Sequence, residues 1–143
     1  MSVNVVRPIS LEQTRALRQA ILRSHESVEQ MASTEAPDTF ALGAFDCDEL
    51  VAVGMIAPDG DPGGWRIRGM ATAPPARGRG AGTAVLDGLI AHARGAGAQR
   101  IWCNARTPAR SLYERAGMRV VSEEFVLPQM GPHVVMETRS VEH

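Results

Sequence analysis

Hydrophobic positions recur along the chain with two periods. From about Ala81 to Arg94, Val85, Leu86, Leu89, Ile90 and Ala93 form one apolar stripe at helical spacing. Gly95 and Gly97 follow and end that helix. An earlier helix is expected from Ser10 to about Leu22. Ser10-Leu11-Glu12-Gln13 reads as a capping box, with Ser10 as N-cap and Gln13 reaching back. Leu11, Leu17, Ala20 and Ile21 are its expected buried face. A third helix starts with Pro108 as its first residue, runs to Ala116 and is closed by Gly117. Elsewhere short β-type runs alternate with turn residues: Val3 to Arg7, stopped by Pro8; Phe40 to Phe45; Leu50 to Ala57; Trp65 to Thr72; Arg100 to Asn104; Arg119 to Phe125; and His133 to Arg139. Asp46-Cys47-Asp48-Glu49 joins two of these runs as a β-hairpin. Asp59 to Gly64 is loop by composition, and Ser24 to Asp38 is polar and irregular, with room for one short helix.

The predicted order is β-α-β-β-β-α-β-α-β-β. Its middle section, strand–loop–helix–strand, is a crossover joining two parallel strands. The early hairpin and the last two strands are antiparallel, which gives an α/β fold: a mixed sheet with helices on both faces. One domain over residues 1–143 accommodates all of it. Hydrophobic residues make up 44 % of the chain, enough for a core without disulfides.

Charge and cysteine usage narrow the function. The formal net charge is −1, so no basic footprint for nucleic acid exists. Cys47 and Cys103 form no CxxC pair and suggest neither metal nor redox chemistry; Cys103, inside an apolar strand, reads as a small buried hydrophobe. The N-terminus has no signal-peptide core, and the longest apolar run, Leu50 to Ala57, is too short to span a bilayer. A soluble, cytoplasmic protein is the expectation.

The most legible chemistry lies in Arg77-Gly78-Arg79-Gly80-Ala81-Gly82-Thr83, between a strand and the striped helix. Glycines let backbone approach an anion, helix-start N–H groups carry partial positive charge, and Arg77 and Arg79 add full charges. The combination suits a pyrophosphate. A P-loop needs Gly-Lys-Ser/Thr, and the sequence contains no lysine. A dinucleotide fingerprint needs a third glycine where Thr83 stands, and an acidic residue after the next strand, where Cys103-Asn104-Ala105-Arg106 stands instead. The pattern Arg/Gln-x-x-Gly-x-Gly/Ala is satisfied by Arg77, Gly80 and Gly82. A plain glycine-rich turn capping a helix is the bland alternative.

At these residues the chain resembles the GNAT acetyltransferase superfamily. The likeness runs through Gly69-Met70-Ala71-Thr72-Ala73-Pro74-Pro75-Ala76-Arg77-Gly78-Arg79-Gly80-Ala81-Gly82. It continues about thirty residues later in Ala109-Arg110-Ser111-Leu112-Tyr113-Glu114-Arg115-Ala116-Gly117-Met118, with Met118 where Phe is usual. The resemblance implies a GNAT-like, mostly antiparallel twisted sheet with one splayed parallel strand pair, and acetyl-CoA as cosubstrate with no metal. It implies that main-chain groups of Met70, Ala71 and Thr72 receive the pantetheine arm at a β-bulge, one N–H stabilising the oxyanion that develops in the reaction. It further implies that Tyr113 is the general acid that protonates the departing CoA thiolate. Two departures stand out. The family often has Asn where Arg106 stands; Asn104 is then the candidate for the amide contact, with Arg106 adding charge near the cosubstrate. Where relatives carry a glutamate upstream of the bulge, this chain has Arg66 and Arg68, so no base transfers by resemblance.

Glu123, Glu124 and His133 are the candidate bases elsewhere, set against solvated strand-end charges and a loop histidine without a role. His92 reads as a surface residue, and His25 falls in the segment that walls the acceptor pocket in relatives. The function expected is transfer of an acetyl group from acetyl-CoA to a primary amine of a small molecule or peptide, with no nucleic acid or membrane partner. Arg68 is a candidate anchor for a carboxylate on the acceptor, set against pairing with Glu123 or Glu124. A non-catalytic acyl-CoA sensor and a nucleotide-binding regulatory domain are the rival readings. Dimers are common among relatives, so a homodimer is compatible.

Overall fold

In the computed structural model, residues 5–22, 30–31, 35–36, 38–60 and 62–140 are described. Most of the irregular Ser24–Asp38 segment, including His25, lies outside them, as do Val3 and Asn4 of the first expected strand.

Strand β1 (Val5–Pro8) leads into helix α1 (Leu11–Ile21). Its capping box forms as expected: the Ser10 hydroxyl accepts from the Gln13 N–H at 3.1 Å, and the Gln13 carboxamide accepts from the Ser10 N–H at 2.9 Å. Such a cap is worth about 1 kcal/mol. Strands β2 (Phe40–Asp46) and β3 (Glu49–Pro58) form the hairpin, its tight turn made by Cys47 and Asp48 with Cys47 at φ 57°. Strand β4 (Gly64–Thr72), a 3-10 turn (Pro74–Ala76) and helix α2 (Ala81–Gly95) follow. Then come β5 (Arg100–Arg106), a 3-10 turn (Thr107–Ala109) and helix α3 (Arg110–Arg115), and last β6 (Arg119–Val120), β7 (Phe125–Leu127) and β8 (Gly131–Arg139).

The sheet runs β1-β2-β3-β4-β5-β8-β6, with β7 added on β8. All described pairings are antiparallel except β4 with β5. That parallel pairing holds for three residues only, Gly64–Arg66 against Arg100–Trp102. Beyond it the strands part, β4 continuing against β3 and β5 against β8.

The α2 stripe behaves as its spacing predicts: Val85, Leu86, Leu89, Ile90 and Ala93 are all buried. They pack with Leu42, Ala44, Ala52 and Ile56, and the same core extends through Ile67, Ile101, Cys103 and Met136. Each large side chain buried there contributes roughly 1.5–3 kcal/mol. Gly54 has no room for a side chain on this face, since a Cβ would lie 2.4 Å from Met70 Sδ and 2.9 Å from Leu89 Cδ1.

Two expectations need correction. Helix α1 does not bury Leu11, Leu17, Ala20 and Ile21; its buried residues are Thr14 and Arg18. Arg18 reaches inward to the Glu35 carboxylate, and Thr14 donates to the Leu11 carbonyl at 2.6 Å, so partners in the fold override the apolar pattern. The strand expected over Arg119–Phe125 is broken in two. In the gap the Ser122 hydroxyl accepts the Val135 N–H at 2.8 Å, taking the place a carbonyl would hold in a continuous ladder.

Candidate functional site

A β-bulge in β4 begins the site. Val53 stands opposite Ala71 and Met55 opposite Arg68, so Gly69 and Met70 together face Gly54. Gly69 takes φ +66°, where a side chain is strained, and a Cβ there would lie 2.9 Å from Met55 Cε and 3.1 Å from Arg18 Nε. The bulge coincides with the departure of β4 from β5. The slot between them is a cavity of about 190 Å³. Gly69, Met70, Asn104, Arg106, Tyr113 and His133 are among the residues lining it.

Beyond the bulge, the glycine-rich loop turns into α2. Gly80 is the helix N-cap in the left-handed conformation at φ 84°, with open space around it. The loop borders a second cavity of about 480 Å³, lined by Thr72, Arg77, Gly78, Gly80, Ala81, Gly82 and Thr83, and by Leu112 and Arg115 from α3. Arg77 Nε donates to the Thr72 carbonyl at 3.3 Å. Arg79 does not line this cavity, whereas Arg115, which the motif reading passed over, does. Ala71 is buried within the sheet and lines neither cavity.

On the α1 face lies a third cavity, of about 100 Å³. It shares Arg66, Arg68 and Gly69 with the slot. Arg18 and Glu35 also line it, and Arg15 and Arg18 both engage the Glu35 carboxylate, whose side chain is 5 % exposed. Burial pushes the Glu35 carboxyl up, but hydrogen bonds from Arg15 and Arg18 outweigh this and hold it below the usual range. Arg66 and Arg68 stand 4.0 and 3.9 Å from Asp59, so the carboxylate nearest Arg68 is Asp59 rather than Glu123 or Glu124. The Arg66 guanidinium lies 4.7 Å over the Trp102 ring. Glu35 and Asp59 left no signal in the sequence, because their partners are 17 to 20 and 7 to 9 positions away with no motif between.

Tyr113 is 6 % exposed, and burial drives its hydroxyl pKa well above the ordinary tyrosine value; Cys103 adds to the rise and Arg106 opposes it. It holds its proton throughout the physiological range. The Cys103 thiol is pushed up to about 12 by burial, with Arg66 opposing. Buried and protonated, it is a core residue rather than a nucleophile. Arg106 is bonded from Nη2 to the Leu22 carbonyl at 2.9 Å. Glu124 accepts from Thr107 at 3.0 Å, and Glu123 is exposed; neither lines the slot. His133 does line it, with Nδ1 2.8 Å from the Gly131 carbonyl. His92 is exposed and stacks on Phe40 at 3.7 Å.

Acetyl-CoA is the cosubstrate of the proteins this chain resembles, and these residues fit it: an open backbone cradle at Gly78 and Gly80, cations at Arg77 and Arg115, and a slot bordered by unpaired strand backbone. Comparison with known proteins points the same way. The chain is 34 % identical over 138 residues to an uncharacterized N-acetyltransferase, YitI, of Bacillus subtilis (strain 168), covering 92 % of this chain and 93 % of that protein. In fold it matches an aminoglycoside 6'-N-acetyltransferase complexed with coenzyme A, with a TM-score of 0.79 and 15 % identity over 97 % of this chain and 98 % of that one. It also matches the ribosomal-protein-S18-alanine N-acetyltransferase of Escherichia coli, with a TM-score of 0.78 and 16 % identity over 96 % and 94 % of the two chains. Residues 8–118 match the model of the acetyltransferase (GNAT) family, and the chain belongs to that family.

Proposed function

We propose that this protein transfers an acetyl group from acetyl-CoA directly to a primary amine on a small molecule, most favourably one that also carries a carboxylate. The observation that carries this reading is the placement of three cavities along one strand: Arg66, Arg68 and Gly69 of β4 belong to both the α1-side pocket and the slot, Met70 lines the slot, and Thr72 lines the loop cavity. When bound, acetyl-CoA supplies an activated thioester. Main-chain N–H groups from Gly78 to Thr83, with Arg77 and Arg115, hold its phosphates, while Arg79 contributes at longer range. Main-chain groups of Met70, Ala71 and Thr72 orient the arm, and a bulge N–H faces the acetyl oxygen. Asn104 and Arg106 border the arm from β5. Tyr113 holds the proton that the leaving thiolate needs. The inert Cys103 favours direct transfer over an acetyl-enzyme.

The acceptor enters from the α1 side. Arg66 and Arg68 present planar cations there, 4.0 and 3.9 Å from Asp59, and a carboxylate is what such a pair recognises. The test is a CoA-release screen of amino acids, amines, aminoglycosides and peptides, repeated with Arg68→Gln. The reading expects a carboxylate-bearing acceptor whose KM rises roughly 10-fold or more in the variant, with the acetyl-CoA KM unchanged. A polycation as best acceptor, or an unmoved KM, defeats the carboxylate anchor. No helix among the described residues is long and apolar enough to cross a membrane, and a small-molecule acceptor fits a cytoplasmic enzyme.

A further inference from the structure

An amine reaches the site as an ammonium ion and cannot attack until it loses a proton. The positions upstream of the bulge hold Arg66 and Arg68, and neither Glu123 nor Glu124 lines the slot. His133 is the histidine that does. It stands near the start of β8, opposite Arg106 of β5 and Phe125 of β7. The ring is 2 % exposed, and the Phe125 ring stacks on it at a centroid distance of 6.1 Å. Its Nδ1 lies 2.8 Å from the Gly131 carbonyl oxygen. A carbonyl only accepts, so this contact is a hydrogen bond only if Nδ1 carries the proton. In the neutral ring Nε2 is then the bare nitrogen. No hydrogen bond to Nε2 exists among the described residues, and the ring borders the slot shared with Tyr113 and Gly69.

We propose that His133 is the general base, an assignment that rests on the acetyltransfer reading above. Nε2 takes the ammonium proton, directly or through one water. The freed lone pair forms the C–N bond as the C–S bond breaks, and the thiolate takes the Tyr113 proton. The surplus proton on the new amide nitrogen returns Tyr113 to the phenol, and His133 gives its own proton to solvent. The Gly131 carbonyl fixes the tautomer and steadies the imidazolium. The charged and titratable groups that line the slot with the ring are Arg106 from β5, Arg66 and Arg68 from β4, and Tyr113 from α3, and no carboxylate lines it among the described residues.

Two measurements test this. Long-range proton–nitrogen spectra of 15N-histidine-labelled wild-type protein should show the His133 ring, identified by its loss in His133→Gln, in the Nδ1–H form. An Nε2–H tautomer overturns the proposal, with no turnover needed. The second is kcat/KM for the best amine of the screen, from about pH 6 to about pH 9, in wild type and in His133→Gln and His133→Asn. The variants should lose roughly 30-fold or more near neutrality, rise with pH only as the free amine itself forms, and approach wild type as pH nears the amine's own pKa. Variants that melt and bind acetyl-CoA like wild type but keep its pH profile remove His133 from the reaction. A wild type that does not bind acetyl-CoA sinks the underlying reading instead.

Discussion

Arg106 donates from Nη2 to the main-chain carbonyl of Leu22 across 2.9 Å, bridging the end of β5 to the C-cap of α1. Both residues line the slot. Where relatives often have a short amide, this chain has a side chain long enough to cross. A hydrogen bond from a charged donor is worth about 1.5–3 kcal/mol. Arg106→Gln should lower Tm by about 5 °C. It should also speed amide exchange in the last turn of α1 while leaving α2 unchanged. Unaltered protection of α1 would show that the bond carries no weight.

The loop assignment is tested by charge and bulk. Gly80 sits at φ 84°, and a Cβ on Gly82 would lie 3.0 Å from Thr72 Oγ1. Gly80→Glu and Gly82→Glu each place a carboxylate beside the amides that would receive phosphate. Acetyl-CoA at 100 times its Kd should stabilise wild type by about 2.7 kcal/mol, and either variant should lose that thermal shift. Wild-type stabilisation in both would mean that the phosphates bind elsewhere.

Tyr113→Phe removes one oxygen from a buried ring. Burial raises the hydroxyl pKa, so the phenol, not the phenolate, is the form present at neutral pH. The variant should bind acetyl-CoA with wild-type affinity and turn over roughly 10-fold more slowly. Full turnover would take Tyr113 out of the mechanism and favour the sensor reading among proteins of this fold.

Acid should unfold the protein through two buried carboxylates. The Glu137 carboxyl is held low chiefly by its hydrogen bond from Arg100, at 2.7 Å, against burial and with help from Arg139; that of Glu35 is held low by Arg15 and Arg18. A folded pKa below the ordinary 4.5 gives stability that is complete above that value and is lost as pH falls through the folded one. Urea midpoints should therefore fall steeply below about pH 4.5. Glu35→Gln, which leaves the buried Arg18 without its counterion, should cost about 3 kcal/mol at neutral pH and flatten the acid limb. An unchanged acid limb in that variant would remove Glu35 from the account.

Local features were readable from the chain, and features made by distant partners were not. The Ser10–Gln13 cap, the α2 stripe and the Cys47-Asp48 turn each depend on residues within a few positions, and each forms where its pattern places it. The glycine-rich loop before α2 and the helix that carries Tyr113 were legible because their spacing is a signature in itself. The buried face of α1 was not, because Arg18 looks like a solvated residue until Glu35 is brought to it. The break at Ser122 escaped for the same reason: its partner, Val135, is 13 residues away. Arg115 occupies an unspecified position within a recognised motif and reaches the loop cavity only because α3 lies beside it.

The three-residue parallel pairing has a consequence of its own. From Ile67 on β4 and Cys103 on β5, the facing backbones are two edge strands inside the sheet rather than at its rim. Edges of this kind invite any extended chain that can reach them. Here the parallel pairing ends at Arg66 and Trp102, and Arg106 at the end of β5 is tied to the Leu22 carbonyl of α1. The protein thus keeps hydrogen-bonding capacity open for a ligand inside the sheet rather than at its rim, and releasing the tie with Arg106→Gln should make the ligand-free variant more aggregation-prone than the ligand-free wild type.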